Sequence, residues 1–442
     1  MNLEMKNIAK VRSANIEIDG ISVIAGYNST GKSTVGKALY CIFNNFYETT
    51  NTIEKYRVNA ISDELRKAVF YISYVERKDN TISKMVLELF QKNMLNFESL
   101  MSLLKECFTE FGDGFSDTEI EEMIGEEEKN ALAQAIEKLK SLLSISDEEI
   151  LKTRLERYFN AEFGNQIQSA YEEQPTSSII LTTKGNPLEI EIKDNKIAAM
   201  STIDNRTTEV IYIDTFDVID LDINFNRYYR RLNNFQDGHD HKYHLLKSFN
   251  NPRDEEFLQK IAADKVVEQV LEKISHIIPG TVVGERKTLK YIEKIGGKEV
   301  KQNLEHLSSG MRTFLVLKVL LENNAIQENG TIILDEPEVR LHPIWQLKLA
   351  EIIVLLQKEL GLHILLNTHS PYFLDAIETY SKKYGIHEKC NYYYAEEKEN
   401  GVEIKDVTNN IKQIYKKFSE PYQILEDEET NDAETTVDNA EA

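Results

Sequence analysis

Apolar positions change their spacing twice along the chain, and the changes divide it. Near the start, Leu3 to Val11 and Ala14 to Ile18 read as two strands, and Ile21-Ser22-Val23-Ile24-Ala25 reads as a short buried one. Lys32 to Phe43 reads as a helix. From Asn51 to Tyr171 the pattern is helical and rich in Glu, Lys, Leu and Met, with Ile82, Met85, Val86, Leu89, Phe97, Leu100 and Leu104 at helical spacing. Ser116 with Glu119, and Ser146 with Glu149, have the spacing of capping boxes that open two further helices. Gly112, Gly114, Gly125 and Gly164 interrupt the pattern and no heptad is sustained, which predicts a helical bundle rather than a long coiled coil.

All eight prolines lie at Pro175 or later, where strand-like spacing returns. Ile179-Ile180-Leu181, Leu188 to Ile192 and Ile197 to Met200 predict a meander, parted by Lys184-Gly185-Asn186 and Asp194-Asn195. Val210-Ile211-Tyr212-Ile213 predicts a buried strand. Phe225 to Arg253 reads as an inserted polar loop with some helix, Glu255 to Ile278 as a helix ended by Pro279-Gly280, and Thr281 to Val300 as hairpins turning at Gly296-Gly297. The last third alternates. Met311 to Glu322, Pro343 to Leu360 and Pro371 to Lys383 predict helices, and Thr331 to Leu334 and His363 to Leu366 predict strands. Asn391 to Ala395 and Val402 to Val407 pair around Lys398-Glu399-Asn400-Gly401. Glu426 to Ala442 carries eight acids and no Lys, Arg or aromatic residue, which predicts a disordered tail.

These patterns predict one α/β body assembled from 1–50, 175–224 and 281–424, a helical insertion at 51–174, a polar and helical insertion at 225–280, and an acidic tail at 425–442. A length of 442 residues fits two to three domains, and 41% apolar residues supply a sizeable core. A formal net charge of −22 argues against indiscriminate nucleic-acid binding over the whole surface, though not against a local basic patch. Cys41, Cys107 and Cys390 are far apart in no metal-type spacing, as suits a reducing cytoplasm. Met1-Asn2-Leu3-Glu4 does not begin a signal peptide, and the most apolar stretch, Phe314 to Leu321, is broken by Lys318, so no membrane span is expected.

The chemistry begins at Gly26-Tyr27-Asn28-Ser29-Thr30-Gly31-Lys32-Ser33, whose spacing is G-x-x-x-x-G-K-[ST] between a strand and a helix. The glycines let backbone N–H groups turn toward a phosphate, and the helix adds its unpaired N–H groups and positive dipole end. Candidate nucleotide-binding residues are Gly26, Asn28, Ser29, Thr30, Gly31, Lys32, Ser33 and Thr34. Lys32 would reach the β- and γ-phosphates of ATP, and the Ser33 hydroxyl would ligate Mg²⁺. Downstream, the strand Thr331 to Leu334 runs into Asp335-Glu336-Pro337-Glu338. Asp335 would hold Mg²⁺ through water, and Glu336 would activate the attacking water. Ser308, Ser309 and Gly310, before a helix, form a second candidate anion site, with a plain Ser cap as the other reading. His369, in Asn367-Thr368-His369-Ser370 after a strand, can hydrogen-bond a γ-phosphate.

Phosphate loop, long insertion, small-residue helix start and Asp-Glu resemble, in that order, the ABC-type ATPases, in which the Ser-Gly helix of one subunit caps the γ-phosphate held by the other. His369 then fits the switch histidine. Asp335-Glu336-Pro337-Glu338-x-x-Leu341-His342-Pro343, followed by Asn367-Thr368-His369-Ser370-Pro371, resembles the overcoming-lysogenization-defect (OLD) group and related stand-alone ATPase subunits of bacterial anti-phage systems. Leu307-Ser308-Ser309-Gly310-Met311-Arg312 is similar to their signature loop, with Ser309 where Gly is usual and Met311 where Gln is usual. The likeness covers roughly Met1 to Tyr47 and Thr281 to Val407. It implies an ABC-type P-loop ATPase head, a mixed sheet flanked by helices, carrying a large helical insertion. It also implies ATP and Mg²⁺ as ligands, catalytic roles for Glu336 and His369, and a homodimer or higher homo-oligomer closing as an ATP sandwich. OLD nucleases carry a Toprim domain after the switch histidine, and the sequence after Pro371 is too short for one, so a separate effector, a nuclease or toxin, is expected.

Other constellations are less specific. The glutamine loop stays open among Gln166, Gln168 and Gln174. Asp220-x-Asp222 reads as a polar strand end. Asp237-x-His239-Asp240-His241-x-x-His244 reads as a solvated loop rather than a metal cluster. Arg227-Tyr228-Tyr229-Arg230-Arg231 reads as an interface or core-edge segment rather than a nucleic-acid contact. Lys287, Lys290, Lys294 and Lys298 are diluted by Glu285, Glu293 and Glu299. The expected function is an ATP-driven sensor and scaffold in phage defence, triggered by nucleic acid or a phage protein. The alternatives are a repair ATPase resembling RecF or structural-maintenance-of-chromosomes heads, and a nucleotide-binding regulator with little hydrolysis.

Overall fold

A strand covered on both faces is apolar throughout, whereas a strand with one wet face alternates. Both kinds occur here in one large sheet. The computed structural model describes residues 1–69, 80–111, 119–120, 124–171, 176–183, 187–201, 205–216, 238–250, 257–285 and 288–438. The strands are β1 (Asn2–Ile8), β2 (Val11–Glu17), β3 (Ile21–Ala25), β4 (Ser177–Thr182), β5 (Leu188–Lys193), β6 (Lys196–Met200) and β7 (Val210–Ile213). They continue as β8 (Thr281–Glu285), β9 (Thr288–Ile295), β10 (Lys298–Asn303), β11 (Thr331–Asp335), β12 (His363–Thr368), β13 (Cys390–Lys398) and β14 (Gly401–Asp406). The helices are α1 (Lys32–Asn45), α2 (Thr49–Ala68), α3 (Thr81–Gln91), α4 (Phe97–Phe111), α5 (Glu126–Leu143) and α6 (Asp147–Phe163). After them come α7 (His241–Asn250), α8 (Phe257–Ile277), α9 (Ser309–Glu322), α10 (Pro343–Leu360), α11 (Pro371–Lys383) and α12 (Lys412–Asp438). Among the described residues, no helix is long and apolar enough to cross a membrane.

The chain forms two compact units. One comprises Met1–Asn45, Leu155–Thr202 and Thr208–Ala442, the other Phe46–Arg154 and Ile203–Thr207. The first holds an eleven-stranded sheet in the order β6-β5-β4-β1-β2-β14-β13-β3-β12-β11-β7. At one end β5, Leu-Glu-Ile-Glu-Ile-Lys, alternates buried and exposed positions, and β1, β2, β4, β5 and β6 pair antiparallel. At the other, β3 and β7 are buried at every position, and β13, β3, β12, β11 and β7 run parallel. β14 joins the halves, antiparallel to β13 and parallel to β2. Helices cover the parallel half, with Phe314 and Leu317 of α9, Leu349 and Ile353 of α10 and Phe373 of α11 in one core with Ile332, Leu334 and Leu366 of the sheet. Strands β8, β9 and β10 form a second, antiparallel sheet. This is an α/β architecture, a mixed sheet flanked by helices. The second unit is helical and has its own core, including Ile61, Leu65, Val86, Leu104, Leu132 and Ile136.

Three sequence expectations differ from the structure. β1 ends at Ile8 rather than continuing to Val11, because Ile8 pairs with Val11 across a two-residue turn in which Ala9 has φ 47°. The segment expected as a solvated loop contains the start of α7, and His241 is buried at its first position. Its apolar face, Leu245, Leu246 and Phe249, is short enough to be hidden by the histidines around it. The tail expected to be disordered from Glu426 continues α12 to Asp438, a helix whose first turns are anchored by buried Ile414 and Phe418. Packing starts this helix, and once started a helix adds one hydrogen bond for each residue it fixes, so the acidic sequence continues it. The Ser116 capping position, Lys184-Gly185-Asn186, Gly112 and Gly114 lie outside the described residues.

Gly20, in the turn from β2 to β3, has φ +72°, and a Cβ there would lie 2.2 Å from the Lys389 carbonyl oxygen. Gly164 has a similar φ of +59° with nothing within 4 Å of a Cβ. Both Ala substitutions carry the left-handed strain, and only Gly20→Ala adds overpacking of about 1–3 kcal/mol. Gly20→Ala should therefore melt at a lower temperature than Gly164→Ala. Equal melting midpoints would show that the turn yields freely.

Candidate active site

Parallel strands deliver their carboxyl ends to one edge of a sheet, and loops beyond those ends collect there. In this sheet Thr368 stands opposite Ala25 and Asp335 opposite Asn367. The ends of β3, β12 and β11 are thus level, and each carries one predicted element.

Beyond β3, residues 26–31 turn into α1 through Ser29 at φ 64° and Gly31 at φ 75°. A Cβ on Gly31 would lie 3.0 Å from Val11 Cγ2, so the loop lies close against the β1–β2 turn. Lys10, in that turn, donates to the Ser29 carbonyl at 3.2 Å. Tyr27, Asn28 and Ser29 are exposed, whereas Thr30 is buried and donates its hydroxyl to the Tyr27 carbonyl at 2.7 Å. Lys32 is 4% exposed. Its Nζ donates to the carbonyls of Gly26 at 3.1 Å and Tyr27 at 2.8 Å, and lies 3.4 Å from Glu336 Oε1. A buried ammonium whose nearest anion is a shared carboxylate fits a phosphate ligand. Ser33 and Thr34 are partly exposed at the start of α1.

Beyond β11, Asp335 accepts from Asn367 Nδ2 at Oδ1 and from the Tyr212 hydroxyl at Oδ2, each at 2.9 Å. The Ser33 hydroxyl and the Asp335 carboxylate are hard oxygen donors, the type Mg²⁺ takes. Glu336 stands in the left-handed region at φ 50°, and its N–H donates to the Asn367 carbonyl at 3.0 Å. Such strain persists only where neighbours enforce it, and it is common at functional positions. His369 Nδ1 lies 3.3 Å from the same Oε1 of Glu336 that faces Lys32. His369 beside it, with help from Lys32, holds the Glu336 carboxyl below its usual range, and Glu336 in turn raises His369. Glu338 is buried, which pushes its carboxyl up, and it accepts from the Thr368 hydroxyl. Thr368 Oγ1 also accepts the Ser370 N–H at 3.0 Å, which fixes the loop that carries His369.

The structure therefore brings together residues 26–34, Asp335, Glu336 and His369. It does not bring Ser308, Ser309 and Gly310 to them. Ser308 caps α9, accepting from Met311 N–H at 3.3 Å, and a Cβ on Gly310 would lie 2.9 Å from Trp345 Cε3 and 3.3 Å from Leu341 Cδ2. Ser308 and Ser309 are exposed. Sequence reasoning missed Tyr212, whose only signal was one hydroxyl amid the apolar residues of β7, and gave Asn367, Thr368 and Glu338 no role. Gln168 is held by Ser177, the Ile192 carbonyl and the Asn195 N–H, which ties its segment to β4–β6. Gln166 is exposed. Gln174, Asp220, Asp222, Arg227 to Arg231, Asp237 and Lys287 lie outside the described residues. His239 packs on Tyr158 with ring centroids 4.8 Å apart, and His241 and His244 are held by carboxylates, at 2.8 Å from Glu162 and 2.7 Å from Glu209.

The family model described as AAA ATPase domain matches residues 1–374. The SMC head domain from Thermotoga maritima is similar at 11% identity, with 92% of this chain and 98% of that one covered and a TM-score of 0.36. A SmcHead bound to the C-winged helix domain of ScpA matches at 9% identity over 92% and 96% of the two chains, TM-score 0.40. An Smc head domain with an extended coiled coil, bound to the C-terminal domain of ScpA derived from Pyrococcus furiosus, matches at 9% over 96% and 98%, TM-score 0.38. With a phosphate loop, an acidic strand end and a facing histidine gathered at one sheet edge, and the family match running over most of its length, the chain belongs to the AAA ATPase domain family.

Proposed function

We propose that this chain binds and hydrolyses ATP at a site shared between two copies, and that it serves as the sensor and scaffold subunit of a bacterial anti-phage system with a separate effector. The observation that carries the ATPase reading is the shared carboxylate oxygen: Glu336 Oε1 lies 3.4 Å from Lys32 Nζ and 3.3 Å from His369 Nδ1. Residues 26–34 would bind the phosphates of the substrate. Mg²⁺, held by Ser33 and through water by Asp335, would supply charge neutralisation between the phosphates. Without phosphate, Lys32 and His369 both neutralise Glu336 and make it a weak base. A γ-phosphate competes for Lys32 and His369 and releases the carboxylate. Glu336 then takes a proton from water as the water oxygen bonds to the γ-phosphorus. The bond from phosphorus to the bridging oxygen breaks, and ADP leaves with that electron pair.

The exposed Ser308 and Ser309 at the start of α9 support the shared-site reading. They are free to face a second copy, where the helix N-terminus would meet a γ-phosphate. Support for the defence reading comes from the Asp335 to Pro343 run and from Asn367 to Pro371, which resemble the OLD group.

Glu336→Gln should bind ATP and hydrolyse it roughly 10²–10⁴-fold more slowly, the usual loss for a general base. Lys32→Ala should lose ATP binding. A phosphate-release assay in which Glu336→Gln matched wild type would remove Glu336 from the mechanism.

Ser309 is exposed, so Ser309→Asp places a carboxylate at the helix start without the collision with Trp345 that any side chain at Gly310 would meet. Ser309→Asp alone should bind nucleotide but not turn over. Mixed with Lys32→Ala chains it should regain activity through the one intact composite site of a mixed dimer. No recovery, under conditions where wild-type subunits exchange, would confine the site to a single chain.

Expressed with its neighbouring genes, the chain should reduce phage plating, and Lys32→Ala should restore it. Unchanged plating in both cases would overturn the defence role while leaving the ATPase assay intact.

A further inference from the structure

Tyr212 is 1% exposed in the middle of β7, where Phe would satisfy the apolar pattern equally well. Its hydroxyl must find a partner or lose hydration uncompensated. That partner is Asp335 Oδ2, at 2.9 Å. Asn367 Nδ2 reaches the other carboxylate oxygen at the same distance. Two donors on two oxygens stop the carboxylate from rotating.

The phenol is itself held on several sides. Toward α1, Gly36 leaves room for the ring tip: a Cβ there would lie 3.4 Å from Tyr212 Cζ, 3.5 Å from its hydroxyl and 2.9 Å from Ile333 Cγ2. The helix that presents Ser33 thus also opens the space for the hydroxyl. The His241 ring stacks with that of Tyr212, the centroids 4.4 Å apart and the planes at 24°. His241 Nδ1 lies 2.8 Å from both carboxylate oxygens of Glu162, and Nε2 lies 3.0 Å from Asp214 Oδ2. A carboxylate faces each nitrogen and holds the imidazole against turning. Tyr40 meets its edge at 6.0 Å, with the planes at 80°. Burial alone would push His241 down, but Asp214 and Glu162 outweigh it and raise the ring to about 9. Burial, with the adjacent Asp335 charge, pushes the Tyr212 phenol well up, so the hydroxyl remains a donor.

We propose that Tyr212 is a positioning residue for Asp335, aiming its carboxylate at the water shell of Mg²⁺, and that His241, clamped by Glu162 and Asp214, is the platform that fixes Tyr212. The inference rests on the ATPase reading above. It extends the site to residues that no phosphate-loop, signature or switch motif contains. Groups that orient a metal-holding side chain commonly change metal affinity or activity by about 10–100-fold when removed. Asp335 acts through water, which places the expected effect at the lower end.

The test is Tyr212→Phe, which keeps the ring and its stacking and removes one oxygen. Binding of a fluorescent, non-hydrolysable ATP analogue is followed by anisotropy, first in EDTA and then as Mg²⁺ is added, alongside thermal melting of the nucleotide-free protein. The Mg²⁺ concentration at half effect should rise about 10-fold in Tyr212→Phe. Affinity in EDTA and the melting midpoint should match wild type. An unchanged Mg²⁺ midpoint overturns the proposal. So does a shift accompanied by equal loss of metal-free affinity or by early melting, since Tyr212 would then be a strand anchor. Wild type that binds no analogue at any Mg²⁺ concentration overturns the ATPase reading and this inference with it. Normal wild-type binding with an unmoved Tyr212→Phe overturns this inference alone.

Discussion

The register of three parallel strands governs everything at the site. β3, β12 and β11 must end level for Lys32, His369 and Glu336 to meet. A one-residue slip turns every side chain to the other face of a sheet. In most strands a dry face and a wet face forbid that slip. Here β3 is buried on both faces, so burial alone discriminates poorly between registers. Polar contacts at the strand ends supply the discrimination instead. Gly20 accepts the Ile364 N–H at 2.7 Å where β12 begins, and Asn367 reaches Asp335 where it ends. The groups that set the register are therefore partly the groups that build the site. Damage at Asn367 would be felt as both misfolding and lost chemistry.

Much of the site is legible in local sequence because its elements are short and contiguous. Gly26 to Ser33 needs only a turn with positive φ values and a helix after it, and Ser29, Gly31 and α1 provide these. Asp335-Glu336 and His369 sit at the ends of apolar strands that are conspicuous by composition. The contacts that hold these residues were not legible, because each crosses a long stretch of chain. Tyr212 and Asp335 are 123 positions apart, and His241 and Glu162 are 79 apart. Nothing in Val-Ile-Tyr-Ile says that its hydroxyl faces an acid. His241 and His244 show the opposite failure. A polar, histidine-rich segment looks solvated until the sheet and α6 supply Glu162 and Glu209 as buried partners. The acidic tail is hard to read for a different reason: its charge density points to disorder, whereas the helix begun by buried Ile414 and Phe418 runs on into it.

Charge is organised at two scales. The chain as a whole carries a formal net charge of −22. At the sheet edge, the Lys32 ammonium and the His369 ring share one carboxylate oxygen. A strongly anionic protein that must bind a strongly anionic nucleotide needs such local positive charge, and burial makes it effective by limiting screening. The second cluster, His241 between Glu162 and Asp214, has the inverse composition of one cation between two anions. Tyr212 lies between the two, its ring on the histidine and its hydroxyl on Asp335.

The strand order bears on how the protein is made. β2 has β14 as a neighbour, and β3 lies between β13 and β12. β2 and β3 therefore wait for partners some 340 residues or more further on, with β1 in an antiparallel pair with β2 meanwhile. Such distant pairings are slow, because a long loop must close before any contact rewards it. The helices α2 to α5, by contrast, contact one another over short separations and have their own core within Phe46–Arg154. Vectorial synthesis therefore favours early folding of the helical unit while the sheet is still unfinished, with the phosphate loop taking its final shape among the last parts of the molecule.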